Sequence, residues 1–281
     1  ALRVADADAG GGWAADVDVM LVVEQISCPQ SGDLAGDVAR AVGARPQTCR
    51  KTPGPMGDGP VRLLNEAANL IGAGEARVVA VTGGEALRTA AKRAAHAAGG
   101  SVQDHSAIKR SSEQRRPPYG QRYGLVTPAD LYPLYENASR AAFGQSLAEG
   151  QAESATIWSN LSQVAAGCEH AWIRQAKSRE EILRIDENNR PIAFPYSKFM
   201  VANSSVNQGA GFIVTSLAKA LARGVPENRL SYVGRGAHAD EPANPLERDS
   251  YAGSVSMEVS LRRALALNGL EASDLDEVEL Y

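Results

Sequence analysis

The side chains best suited to covalent or proton chemistry are scattered. Cys28, Cys49 and Cys168 show neither metal-ligand spacing nor an even disulfide framework. His96, His105, His170 and His238 have no partner at a useful spacing, and His238, just ahead of Asp240 and Glu241, reads as a surface loop residue. Cys28-Pro29 follows an expected strand, where a small buried residue is a better reading than a reactive thiol. What remains is a turn. Gly57-Asp58-Gly59 is followed by Pro60, a residue that loses nothing at the first position of a helix. A turn entering a helix offers N–H groups and a partial positive charge, which suit an oxyanion or a carbonyl oxygen. Two plainer readings stand beside this one. The glycines make a tight turn, and Asp58 is a helix cap before it is a base. The stretch Lys109 to Arg122 carries Lys109, Arg110, Arg115, Arg116 and Arg122 around a Pro-Pro pair and reads as a solvated loop.

The turn needs elements to hold it. After Pro60, the residues Val61, Leu64, Ala67, Ala68 and Ile71 recur at helical spacing, and Gly72 and Gly74 end the helix. Val78 to Val81 then reads as a doubly buried strand. Upstream, Val17 to Val23 is expected as a strand, Ser31 to Val42 as a helix and Arg45 to Lys51 as a strand into the turn. Downstream, Glu85 to Ala98 is an Ala-rich helix. This alternation points to parallel βα units. From Gly99 the pattern changes. Helices are expected from Ala129 to Phe143, from Leu147 to Gly167 with Ile157, Leu161, Val164 and Ala165 inward, and from Ser178 with Glu181 completing a capping box. The region 99–199 is therefore read as an all-helical insertion. The α/β pattern resumes with turn residues at Asn203–Gly209, a strand at Gly211–Thr215, a helix at Ser216–Arg223, a strand at Arg229–Gly234, a helix at Val255–Leu267 and a new strand at Val278–Tyr281. A start at Ala1 without Met, and a stop as a strand begins, lead to the expectation that this is a piece of a longer protein.

Composition narrows the function classes. The 281 residues are 44% hydrophobic and 22% charged, with 5% aromatic and a net charge of −4. No global field favours nucleic acid or an anionic membrane, and few rings are present on which bases could stack. No apolar run approaches the ~20 residues of a membrane span. The cysteine usage suits a reduced, cytoplasmic setting.

Three segments together resemble the thiolase superfamily: NEAANLIGAGEARVVAVTGGEA, VANSSVNQGAGFIVTSLAKALARG and SLRRALALNGLEASDLDEVELY. YPLYENASRAAFG and DENNRPIAFPYSK are similar to its sterol-carrier and lipid-transfer branch, whose members are acetyl-CoA acetyltransferase-like. The resemblance implies an α/β fold of helices on a mixed sheet with an inserted helical loop domain. It implies residues 1–98 and 200–224 as an N-terminal half, 99–199 as the loop domain and 225–281 as the start of a C-terminal half. It implies a coenzyme A thioester as substrate in lipid or sterol side-chain metabolism, with no bound cofactor.

Counted back from Gly74, the family's nucleophilic Cys falls on Gly57, so the nucleophile is missing. The family's other catalytic groups would lie beyond Tyr281. Gly57, Asp58 and Gly59 are then expected at the thioester, and Asn203, Ser204 and Asn207 match the loop near thioester and pantetheine. Beside its plainer reading as a solvated loop, the basic stretch Lys109 to Arg122 could meet the coenzyme's phosphates. A homodimer is implied, with Gln47 to Lys51 near its interface, or else a second protein subunit. The resulting expectation is an acyltransferase-type protein, with a non-catalytic thiolase-like subunit or a retro-aldolase as alternatives.

Overall fold

The computed structural model of the chain describes residues 1–27, 32–97, 119–242 and 244–279. In chain order the elements are α1 (Leu2–Asp8), β1 (Val19–Val22), α2 (Leu34–Val42), β2 (Thr48–Lys51), α3 (Gly59–Gly72), β3 (Val78–Ala86) and α4 (Leu87–Ala97). Then follow α5 (Tyr119–Arg122), α6 (Pro128–Ala142), α7 (Leu147–Ala166), α8 (Arg179–Leu183), β4 (Pro191–Ala193) and β5 (Tyr196–Ser197). The last are β6 (Asn207–Thr215), α9 (Leu217–Ala222) and α10 (Val255–Asn268). They form two compact units, one of Ala1–Ser106, Ser204–Gly236 and Ala264–Tyr281, the other of Ala107–Asn203 and Ala237–Arg263.

The first unit is built on a four-stranded sheet in the order β2-β1-β3-β6. β1 runs parallel to β2 and β3, and β6 returns antiparallel to β3. All four residues of β1 are buried, because helices cover both faces and alternation gives each face its own core. Met20, Val22, Val78 and Ala80 meet Leu2, Trp13, Ala35 and Ala39 on one side. Leu21, Val79 and Val81 meet Leu63, Ala67 and Ala76 on the other. β6 pairs Phe212 with Val81 and Val214 with Val79, so the strand that resumes after the insertion completes the same sheet. The fold is mixed α/β, as expected. α3 ends where Gly74 takes a φ of +74°, a conformation that glycine adopts at little cost.

In the second unit the core is Ala155, Ile182 and Met200, with Trp158, Tyr196 and Phe199 packed on it. Asn189 is fully buried, and its amide ties the loops together. Its Nδ2 donates to the carbonyls of Ile182 (2.9 Å) and Arg184 (2.8 Å), and its Oδ1 accepts from the N–H of Phe199 (2.9 Å). The capping box expected at α8 is present. The Ser178 N–H donates to Glu181 Oε2 at 2.8 Å and the Glu181 N–H to Ser178 Oγ at 3.2 Å.

Several expectations are corrected. Val61 is 67% exposed and Leu63 is buried on α3, whereas Ala67 and Ile71 of the expected stripe do pack on the core. On α7 the buried residues are Gly150, Ala155 and Ser159, whereas Ile157, Leu161 and Val164 are exposed. The small residues face inward because α7 packs closely on α8. The insertion is not all helix: β4 and β5 form a small antiparallel sheet. Glu85 lies within a strand rather than opening a helix, and Asn207–Gly209 are strand rather than turn, because these two stretches pair with each other.

Arg229–Gly234 is not a strand. A 3-10 turn at Glu227–Arg229 is followed by irregular chain. Just past Gly234, the Asn268 side chain bonds both the N–H and the carbonyl of Arg235 at 2.8 Å. Residues 275–279 are likewise irregular, and the end of the expected last strand, Leu280 and Tyr281, lies outside the described residues.

Candidate functional site

β1, β2 and β3 all point their carboxyl ends at one edge of the first unit, the edge where parallel α/β sheets gather ligands. α3 starts there. Gly57 and Asp58 form an exposed turn, and Gly59, the first residue of α3, is buried. A Cβ on Gly59 would lie 3.0 Å from Val23 Cγ1 and 3.1 Å from Met56 Cγ. Only glycine lets the helix start sit this close to the chain leaving β1. Gly83 on β3 stands against the same side chain, with a Cβ there falling 3.1 Å from Val23 Cβ. Val23 is thus wedged between the α3 start and β3.

Asp58 occupies the cap position, but its carboxylate pairs with Arg62 one turn on instead of bonding the helix N–H groups. The side-chain cap expected of it is therefore absent. The Gly59 N–H donates to the Met56 carbonyl at 3.3 Å, and Pro60 has no N–H.

Around this start runs a hydrogen-bond network. Thr52, buried after β2, accepts from the Glu24 N–H (2.9 Å) and donates its hydroxyl to the Gly54 carbonyl (2.8 Å). Glu24 pairs with Lys51, and that bond, with one from the Gln25 N–H, holds its carboxyl below the usual carboxylate range. Glu85 accepts from the N–H groups of Ile26 and Ser27, and Ser27 Oγ accepts from the Ala86 N–H at 3.0 Å.

Of the other expected site residues, Ser204 is exposed irregular chain and Asn207 opens β6. Asn207 faces Ala86, at the same sheet edge as the α3 start. Its Oδ1 accepts from the Thr89 N–H (3.2 Å) and its Nδ2 donates to Thr89 Oγ1 (2.9 Å), so it fastens the first turn of α4. Asn203 is the last residue of its stretch in the second unit. Of the basic loop, 109–118 lies outside the described residues, and Tyr119–Arg122 is the short α5. Cys28 is also outside them.

Cys49 lies on the edge strand β2 and Cys168 in the second unit. Loss of water around the Cys49 thiol, then the charge of Asp33, pushes its pKa up, the reverse of what a nucleophile needs. Among the described residues no cluster of His, Cys, Asp or Glu could hold a metal ion, and no helix is long and apolar enough to cross a membrane. A small cavity lined by Leu2, Arg3, Asp6, Met20, Ala80 and Ile213 lies on the α1 and α2 face of the sheet, opposite α3.

Sequence reasoning missed Val23, Ser27, Thr52 and Glu85. Glu85 is expected from the sequence to open a helix, and its place on β3 rests on pairing with β6.

No family model and no curated protein matches the chain. Solved structures do. One is the crystal structure of a monomeric SCP2-thiolase like protein type 1 from Mycobacterium smegmatis, with a TM-score of 0.75 and 28% identity over 100% of this chain and 55% of that one. A second is the Ltp2-ChsH2(DUF35) aldolase, at 0.70 and 21% over 98% of this chain and 64% of that one. A third is the Acat5 thiolase from Ascaris suum in complex with coenzyme A, at 0.53 and 14% over 93% and 68%. The chain thus has a thiolase-like fold, and it spans a little over half the length of the first of these structures.

Proposed function

We propose that the protein takes an acyl-coenzyme A thioester at the carboxyl edge of the sheet, over the turn that opens α3, and serves carbon–carbon bond chemistry beside the thioester. The observation that carries this reading is the α3 start itself, an exposed Gly57-Asp58 turn leading into a helix whose first residue, Gly59, packs close on Val23. The thiolase neighbour bound to coenzyme A supports the ligand class. With glycine at position 57 no acyl-enzyme forms at this turn. Retro-aldol cleavage needs none. A base removes the proton of a β-hydroxyl, the bond between the α and β carbons breaks, and its electrons pass to an enolate that donors at the thioester oxygen stabilise. One neighbour being an aldolase favours this reading over acyl transfer.

Gly57, Asp58, Gly59, Ser204 and Asn207, all of the first unit, line the thioester in this proposal. The division into an N-terminal half, a loop domain and the start of a C-terminal half belongs to the same reading, as does a cytoplasmic setting. The second reading, a thiolase-like subunit that serves a partner, rests on the neighbour solved with ChsH2. A homodimer would use the exposed edge strand β2.

The test is incubation with β-hydroxyacyl- and 3-ketoacyl-coenzyme A, with products followed by chromatography and the protein by mass spectrometry. Cleavage without a covalent adduct is expected. An acyl adduct would overturn the retro-aldol reading. Absence of both turnover and binding would leave the subunit role. A mass measurement in solution that finds only monomer removes the homodimer.

A further inference from the structure

Glu85, the penultimate residue of β3, has no role in the reading above. Its two carboxylate oxygens accept from consecutive N–H groups, those of Ile26 and Ser27, on the chain leaving β1. Ser27 answers by accepting from the Ala86 N–H at 3.0 Å, next to Glu85 in sequence. The result is a reciprocal clasp between the end of β3 and the loop after β1, spanning 59 residues of sequence. Bonds from two N–H groups to one ionised carboxylate are stronger than neutral ones, so the loop is fixed at two adjacent peptides.

The clasp reaches the α3 turn by two routes. One is packing: Val23 lies three residues before Ile26 and is wedged against Gly59 and Gly83. The other is polar: the Ser27 hydroxyl bonds Gln25 Oε1 (3.0 Å), the Gln25 N–H bonds Glu24 Oε1 (3.0 Å), the Glu24 N–H bonds Thr52 Oγ1 (2.9 Å), and Thr52 Oγ1 bonds the Gly54 carbonyl (2.8 Å). Gly54 lies three residues before Gly57. A displacement of the loop therefore moves both the side chain beneath the helix start and the chain leading into the turn.

We infer that Glu85, with Ser27, is a positioning residue: the clasp holds the loop after β1 so that the Gly57–Gly59 turn is set for its ligand. It touches no ligand and acts through Val23 and Thr52. The ligand part of this statement rests on the thioester reading.

The test uses Glu85→Gln, Ser27→Ala and the double variant in the intact protein. Hydrogen–deuterium exchange reads the clasp, and acetyl-coenzyme A titration reads the site. Gln keeps one acceptor and loses the charge. Exchange at Ile26 and Ser27 is expected to rise about tenfold and to rise also in the first turn of α3, with other amides of the sheet unchanged. Acetyl-coenzyme A affinity is expected to fall about fivefold in each single variant and little further in the double, since both hold one clasp. Unchanged exchange in the first turn of α3 would overturn the inference, as would a rise spread over the whole sheet, which marks a merely structural carboxylate. If the wild-type protein binds neither acetyl- nor longer acyl-coenzyme A, the thioester reading fails, and the exchange result alone decides the clasp.

Discussion

Replacing Gly59 with Ala tests whether the α3 start is held by close approach. In an ordinary helix this exchange stabilises by up to about 1 kcal/mol. Here the new methyl would lie 3.0 Å from Val23 Cγ1, 3.1 Å from Met56 Cγ and 3.4 Å from Val23 Cγ2. Carbon atoms prefer about 3.5–4.0 Å, so both neighbours must give by roughly half an ångström. Met56 has three free torsions and yields. Val23 is stiff at χ1 and has Gly83 of β3 against it, so it does not. Overpacking of this kind costs about 1–3 kcal/mol. Set against the helical gain, Gly59→Ala should destabilise the first unit by roughly 1 kcal/mol and lower Tm by about 2–4 °C. The assay is urea unfolding followed by far-UV circular dichroism, run as a cycle with Val23→Ala. The double variant should recover about 1–2 kcal/mol relative to the sum of the singles. A Gly59→Ala protein more stable than wild type, with no coupling to Val23, would refute the reasoning.

Asn189→Ala should cost about 3 kcal/mol, because it strands the carbonyls of Ile182 and Arg184 and the N–H of Phe199; denaturant unfolding followed by tryptophan emission checks it. Leu161→Ser on α7 should change stability by less than about 0.5 kcal/mol, whereas Ala155→Leu on the same helix should cost about 1–3 kcal/mol, compared by thermal melts. Asp16 accepts from Lys219 Nζ at 3.0 Å and from Arg223, and the Lys219 bond leads the causes that hold its pKa below the usual carboxylate range. A depressed folded pKa means a contribution that is present above the unfolded value and lost as pH falls through the folded one. Arg223 also lies over the Trp13 ring at 4.5 Å, so Trp13 emission should shift in acid below about pH 4. Asp16→Asn should lack that step, and an identical acid titration in the variant would refute the assignment.

Much of the sheet was legible because a doubly covered strand has an unmistakable composition. Val19–Val22 and Val78–Val81 are short continuous apolar runs rich in β-branched residues, and all eight residues are buried in strands. Helix starts with their own local chemistry, such as Ser178 with Glu181, were equally readable. What failed was any feature fixed by a distant partner. The face of α7 could not be read, since Ile157, Leu161 and Val164 form a better apolar stripe than Ala155 and Ser159 do. Close packing favours the smaller set. The extension of β3 through Glu85 depends on β6, more than a hundred residues away, and so does the strand character of Asn207. At the candidate site the turn and its glycines were visible in the sequence. Val23, Thr52 and Glu85, which hold that turn, were not, because their partners lie 28 to 60 residues off in the chain.

The return of β6 has a consequence for synthesis on the ribosome. β3 ends at Ala86 and its antiparallel neighbour begins at Asn207. At about 5–20 residues per second, the nascent chain spends about 6–24 s with β1, β2 and β3 already emerged and β3 lacking that neighbour. Throughout that interval the outer rim of β3, with Val79 and Val81, offers bare amides and carbonyls to any passing strand. A chaperone that shields exposed apolar segments would find its longest opportunity there, and translation that pauses between these two strands should raise the yield of aggregated chain.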